Sequence, residues 1–128
     1  YRTGTFISKK NQCKHNYRSS FEYAYLNKIE NDDNVLKYIS EPFSIPYIDS
    51  DGILKNYIPD LLVLYKDGSV NILEIKPKAM TKAENVRKKA MHTRKWLSKN
   101  YPDVKYKFIT EKDIFDSNKD YKNILKEL

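Results

Sequence analysis

Two apolar runs, Leu61 to Tyr65 and Val70 to Leu73, interrupted by Lys66-Asp67-Gly68, constrain this chain more than any other feature. Both runs are rich in β-branched, Leu and Tyr residues, and Asp-Gly between such runs signals a hairpin. The turn length sets the register. A two-residue turn at Asp67-Gly68 pairs Lys66 with Ser69 and sends Asp60 and Glu74 to opposite faces. A three-residue turn, with Gly68 left-handed as a bulge, pairs Tyr65 with Ser69 and sets Asp60 across from Glu74. The three-residue loop is the expectation. It gathers Asp60, Leu62, Leu64, Val70, Ile72, Glu74 and Lys76 on one face and Leu61, Val63, Tyr65, Leu73 and Ile75 on the other. Both faces are apolar, so helices should cover both.

Outside the turn, charge sits only at the open end of this hairpin, in Tyr57-Ile-Pro-Asp60 and Glu74-Ile-Lys76. Charged side chains are seldom buried unless paired or bound to a metal. Cross-strand partners have Cα atoms about 4.5–5.5 Å apart, near enough for two carboxylates to share a divalent cation. Mg²⁺ usually takes one or two carboxylates and keeps several waters. Asp60 and Glu74 meet that requirement, and the backbone carbonyl of Ile75 is a candidate third ligand. Such an ion lowers the pKa of a bound water and neutralises charge on a phosphodiester. Lys76 would orient or activate the attacking water. Blander readings exist: Glu74 and Lys76 as a surface ion pair worth about 0–1 kcal/mol, and Asp60 as a turn residue after Pro59.

The remaining pattern places these residues in an α/β sandwich. Phe21, Tyr25 and Ile29 recur at fourfold spacing and predict a helix from about Tyr17 to Ile29, ended by Asn31-Asp-Asp-Asn34. Val35 to Ser40 extends the sheet, and Phe43 to Ile48 reads as a short edge strand that tolerates Pro42 and Pro46. Thr81-x-x-Glu84 reads as a capping box for a second helix with Ala83, Val86, Ala90, Thr93 and Leu97 inward, ending near Asn100. Val104 to Thr110 is a last strand, and Tyr121, Ile124, Leu125 and Leu128 mark a C-terminal amphipathic helix. The predicted fold is α/β, with a mixed central sheet flanked by helices.

Pro59-Asp60 followed by Glu74-x-Lys76 resembles the PD-(D/E)xK signature of restriction-endonuclease-like nucleases. Tyr17-Arg-Ser-Ser-Phe-Glu22, Ser40-Glu-Pro-Phe-Ser-Ile-Pro-Tyr47 and Glu74-Ile-Lys-Pro-Lys78 together resemble phage head-completion nucleases. They also resemble the N-terminal endonuclease domain of TnsA-type transposases, where a "TE" follows the last strand, as in Ile109-Thr110-Glu111. The Tyr-Arg-Ser…Glu and Ile-Pro-Tyr elements favour the phage relative. The resemblance covers roughly residues 4 to 115. It implies an αβββαβ core and a Mg²⁺-dependent DNA endonuclease, with Mn²⁺ as a substitute and 5′-phosphate and 3′-hydroxyl products. It also places an acidic residue of the first helix, Glu22, beside the metal, directly or through water. Arg18 and Glu22 are spaced i, i+4 and are equally compatible with a surface pair.

Composition agrees with a DNA partner without selecting one. The 128 residues suit one domain, read as a basic arm over 1–16 and a nuclease domain over 17–128. The net charge of +7 and a pI near 9.3 suggest a polyanion. Lys78 and Lys82 are best placed for phosphates, with Arg18 and the arm residues Lys9 and Lys10 next. Cys13 is the single cysteine, which excludes an internal disulfide framework and suits a reducing cytoplasm, so the expected location is the host cell cytoplasm, or the virion for a phage-encoded protein. No apolar run of membrane-spanning length and no signal-peptide pattern is seen, and the sequence opens at Tyr1, as a trimmed chain would. His92 lies among Arg87, Lys88, Lys89, Arg94 and Lys95 and reads as part of a solvated face. No recognition helix or zinc finger is visible, so weak sequence selectivity is expected, or targeting by capsid, neck or transposase partners. A homodimer would supply two active sites for a duplex. The rival classes are a virion assembly protein that retains the fold and a DNA-binding module without catalysis.

Overall fold

The computed structural model describes residues 3 to 115, so the predicted C-terminal helix at Tyr121–Leu128 lies outside the described residues. A four-stranded mixed sheet forms the centre, in the order β3 (Val35–Ser40), β6 (Leu61–Tyr65), β7 (Val70–Ile75), β8 (Lys105–Ile109). The first three strands are antiparallel, and β8 returns parallel to β7 after the crossover helix α2 (Glu84–Asn100). Helix α1 (Ser20–Glu30) covers one face, where Ala24, Tyr25, Leu26 and Ile29 pack on Leu61, Val63 and Leu73. Helix α2 covers the other, where Ala90 and Leu97 pack on Ile72 and Tyr106. The sandwich is thus built as the two-sided apolar hairpin requires.

The hairpin turn has the three-residue form. Leu61 pairs with Leu73 and Leu64 with Val70, the Tyr65 N–H donates to the Ser69 carbonyl at 2.9 Å, and Gly68 has φ +89°. Asp67 fixes the loop by accepting from the Ser69 N–H at 2.8 Å and the Ser69 hydroxyl at 2.6 Å. Continued by one residue, this register carries Asp60 to the strand end opposite Glu74.

Several boundaries differ from the sequence expectation. The segment read as a basic arm folds into a β-hairpin, β1 (Gly4–Ser8) and β2 (Cys13–Tyr17), docked on α1 through Phe6 and Tyr17. Helix α1 therefore starts at Ser20, with the Ser19 side chain capping the Glu22 N–H at 3.2 Å. Phe43–Ile48 does not edge the central sheet. Glu41 adopts φ +47° ahead of Pro42 and turns the chain away, so β4 (Ile45–Ile48) pairs instead with an unpredicted strand, β5 (Leu54–Tyr57), in a separate ribbon against α2. Thr81 does not cap α2. Its hydroxyl is spent on the Lys78 carbonyl at 2.7 Å, closing a 3-10 turn over Lys78–Met80, and Ala83 is the exposed N-cap position. The capping box forms instead at Thr110 and Asp113, ahead of the short helix α3 (Glu111–Ile114).

Docking of the first hairpin rests on polar groups as much as on Phe6. Glu30 accepts from the Ser8 hydroxyl at 2.6 Å, the Lys10 N–H at 2.9 Å and the Tyr38 hydroxyl at 2.7 Å. The Lys10 ammonium donates to the carbonyls of Ile29, Asp32 and Val35 at 3.3, 2.6 and 2.7 Å. A lysine at a helix C-terminus satisfies carbonyls that have no intrahelical partner. Lys10→Met should accordingly lower unfolding free energy by about 1.5–3 kcal/mol, the worth of hydrogen bonds to a charged group, as read by urea denaturation. A change within a few tenths would show that these three carbonyls do not need the ammonium.

Candidate active site

Asp60 enters where β6 begins, after buried Pro59, and its carboxylate accepts the Ile75 N–H at 2.7 Å. That contact replaces a ladder bond that β6 is too short to give. In a strand, a residue's N–H and C=O lie on the same edge, so the Ile75 carbonyl opens toward Asp60 as well. Lys76 is held on the opposite edge by its N–H bond to the Ile109 carbonyl at 2.9 Å, which leaves its side chain on the Glu74 face. The Lys76 ammonium stands 3.7 Å from Glu74 Oε2, with both side chains largely shielded. Asp60, Glu74 and Lys76 are thus brought to one end of the hairpin.

The second oxygen of Glu74 is occupied by groups the sequence reading did not assign. Tyr57, the last residue of β5, donates its hydroxyl to Glu74 Oε1 at 2.6 Å, and the Tyr106 hydroxyl of β8 lies 3.0 Å from that of Tyr57. Both rings are buried, and no buried side-chain polar atom among the described residues lacks a partner. Burial, and then the Glu74 charge, push the Tyr57 hydroxyl far above its ordinary range, so it remains a proton donor. The signal for this pair was the Tyr57 that opens the Tyr-Ile-Pro-Asp run; Tyr106 carries no local cue.

Glu22 lines a narrow cleft together with Asp60, Arg18, Ser40, Glu41 and Ile75. One of its oxygens accepts the Arg18 N–H at 3.1 Å. Its carboxyl is raised above the usual range by burial first, and further by Asp60. The surface pairing of Arg18 with Glu22 is not formed, because Arg18 precedes the helix; its guanidinium bonds Glu41 instead. Glu41, without an assigned role in the sequence, also donates its N–H to the Asp60 carbonyl at 3.0 Å, bracing the entry to β6. Lys78 and Lys82 lie beyond Lys76 at the exposed 3-10 turn, where the Lys78 N–H bonds Glu111 at 2.8 Å. The neighbouring Lys112 lowers the Lys78 ammonium, so these cations crowd one patch. Lys9 is exposed in the β1–β2 turn, whereas the Lys10 charge is committed to the three carbonyls described above.

No three His, Cys, Asp or Glu side chains form a joint metal cage among the described residues. The donor set is smaller: two carboxylates, a backbone carbonyl and water, which fits a hydrated Mg²⁺. Electrostatics of the carboxylate pair point the same way. Burial raises Asp60, and burial followed by the Asp60 charge pushes Glu74 from 4.5 up to about 7. Two shielded carboxylates side by side need a shared proton or a cation.

This clash has a measurable sign. Between pH 4.5 and about 7 the folded chain holds a proton at Glu74 that the unfolded chain releases, so stability falls as pH rises through that window. Glu74→Gln keeps an acceptor for Tyr57 but removes the charge. It should match the wild type near pH 4.5 and exceed its metal-free stability at pH 8 by about 1–3 kcal/mol, by urea unfolding at a series of pH values. A difference independent of pH would refute the carboxylate conflict.

The chain matches the family model described as TnsA-like endonuclease N terminal over residues 32–111. The match begins just after α1, stops at the first residue of α3 and contains Asp60, Glu74 and Lys76, but not Arg18 or Glu22. The preference for the phage head-completion relative is not supported, and the TnsA-type likeness is the better matched of the two. No curated protein matches the chain significantly. With a mixed α/β sandwich, an acid pair and a lysine at one hairpin end, and a match over more than half its length, this chain belongs to the TnsA-like endonuclease N-terminal family.

Proposed function

We propose that this domain is a divalent-metal-dependent DNA endonuclease of the TnsA type, hydrolysing phosphodiester bonds at transposon ends. The observation that carries the reading is the convergence of Asp60 and Glu74 with Lys76 at the end of β7. Asp60, Glu74 and the Ile75 carbonyl would hold Mg²⁺ or Mn²⁺, with Glu22 contributing through water. When bound, the ion supplies a water of lowered pKa and neutralises charge on the phosphoryl oxygens.

The chain's own groups have distinct tasks in this scheme. Tyr57 secures one oxygen of Glu74 and so turns the other toward Lys76 and the site. Lys76 offers ammonium donors to orient the attacking water and to balance charge on the transferred phosphoryl group. Lys78 and Lys82, together with Arg18 at the cleft rim and Lys9, contact the DNA backbone, so affinity should fall steeply with salt. Sequence selectivity is weak in this domain and target choice falls to transposase partners. No helix among the described residues is long and apolar enough to cross a membrane.

Two measurements test the reading. Nicking of supercoiled plasmid should require Mg²⁺ or Mn²⁺, and Asp60→Ala and Lys76→Ala should each lower the rate on the order of 10²-fold or more. Unchanged activity in either variant removes that residue from the chemistry, and an inactive wild type that binds DNA tightly supports a non-catalytic module. Tyr57→Phe preserves the ring packing but frees Glu74 Oε1. It should raise the Mg²⁺ concentration for half-maximal nicking by about tenfold or more, the usual effect of losing a ligand's hydrogen-bond partner. An unchanged metal requirement would show that the hydroxyl serves stability alone.

A further inference from the structure

Beside the carboxylate pair, the β4–β5 ribbon and the first half of α2 enclose a cleft of about 410 Å³ that the hydrolytic groups leave unused. Its walls carry Tyr47 and His92, with ring centres 5.9 Å apart and planes inclined by 31°, together with Lys88, Lys89, Lys55 and Asn85, and with Asp49 and Asp51 at the turn between β4 and β5. His92 is therefore not simply part of a solvated helix face. Lys89 links the cleft to the site. The Lys89 ammonium lies 5.9 Å from the centre of the Tyr57 ring, whose hydroxyl holds Glu74. One side chain separates the cleft from a candidate catalytic carboxylate.

The chemistry of these walls selects a ligand class. The two rings offer π faces, and half-buried Lys88 and Lys89 offer charge for an anion, a combination that suits a base and its phosphate. Lys55 is committed to Asp49 at 3.0 Å, which leaves the α2 lysines to receive the anion. Among the described residues Lys88 is paired with Glu84, a side chain 84% exposed and open to competition by phosphate. The volume falls in the lower part of the range for small-molecule clefts, sized for one nucleotide and too small for a duplex.

Building on the hydrolytic reading above, we propose that this cleft receives one nucleotide of the DNA strand flanking the scissile phosphate. Its base lies against Tyr47 and His92, and its phosphate lies toward Lys88 and Lys89. A base can reach this surface only after leaving the duplex stack, and unstacking costs least where the DNA is frayed, mismatched or single-stranded. The domain should therefore favour DNA that is unpaired beside the cut. A substrate rule of this kind comes from deformability and needs no base-edge recognition.

The test uses the whole chain with Ca²⁺ replacing Mg²⁺ and oligonucleotide duplexes carrying 2-aminopurine at successive positions around an unpaired flank. One position near the cut should be quenched by the wild type and lose that quenching with Tyr47→Leu, which keeps apolar bulk but removes the ring. Lys88→Ala and Tyr47→Leu should weaken binding of the unpaired-flank DNA by about fivefold or more, the scale of one lost base stack. Lys105→Ala, beside the hairpin turn at the far end of the sheet, should bind as the wild type does. Equal binding by all four proteins, with no position-specific quenching, overturns the cleft assignment while leaving the hydrolase reading intact. Free 2-aminopurine nucleotide bound as tightly as the oligonucleotide would also overturn it, pointing to a soluble nucleotide site. Loss of wild-type nicking in Mg²⁺ is a separate failure, that of the hydrolase reading.

Discussion

The structure depends on the register of one hairpin. Gly68 at φ +89° lets Lys66-Asp67-Gly68 close as a three-residue loop, and every pair of β6 and β7 is then fixed. A one-residue slip would turn Asp60 and Glu74 to opposite faces of the sheet. In the observed register the two acids meet at one strand end, where burial makes their mutual repulsion expensive. Both helices help to hold this arrangement, because the two faces of the hairpin are apolar and each needs its own cover.

The rest of the site can be understood as the handling of that repulsion. Asp60 is anchored by the Ile75 N–H, a backbone group left over where β6 stops short. Glu74 is anchored by a phenol that burial keeps protonated, itself in contact with a second phenol. Each acid therefore has a neutral donor on one oxygen; the other oxygen of Glu74 lies 3.7 Å from the Lys76 ammonium, and Asp60 lines the cleft with Glu22. Carboxylates shielded side by side are costly to the fold unless a proton or a cation is shared between them.

Charges elsewhere divide into those that build the fold and those that remain available. The Lys10 ammonium closes the end of α1 and the start of β3, which net charge alone could not reveal. The Arg18 guanidinium bonds Glu41 across the cleft rim rather than Glu22. Lys78, Lys82 and Lys112, by contrast, crowd a solvent-facing patch beside the lysine of the acid–lysine set. A basic composition is thus a poor guide to which lysines meet a polyanion until their backbone partners are known.

Local sequence determined the central hairpin, its turn, the two-faced burial and the approach of Asp60 to Glu74, because period-two patterning and turn chemistry act over a few residues. The inward stripe of α1 at Tyr25 and Ile29 and that of α2 from Val86 to Leu97 were legible for the same reason, though not its extension to the exposed Ala83, as was the end of α2 at Asn100. Only the tertiary structure decided that Tyr57 and Tyr106, 49 residues apart, would meet at Glu74, since that contact joins two separate sheets. The same holds for the β4–β5 ribbon. Its strands are short and polar-edged, and their pairing follows from the left-handed Glu41 and the apolar face of α2 that Ile45 and Tyr57 cover. Thr81 gives the clearest contrast. Its spacing to Glu84 fits a cap, but the preceding 3-10 turn offers its hydroxyl a nearer carbonyl, and a neighbouring backbone group outcompetes a pattern that the sequence alone cannot rank.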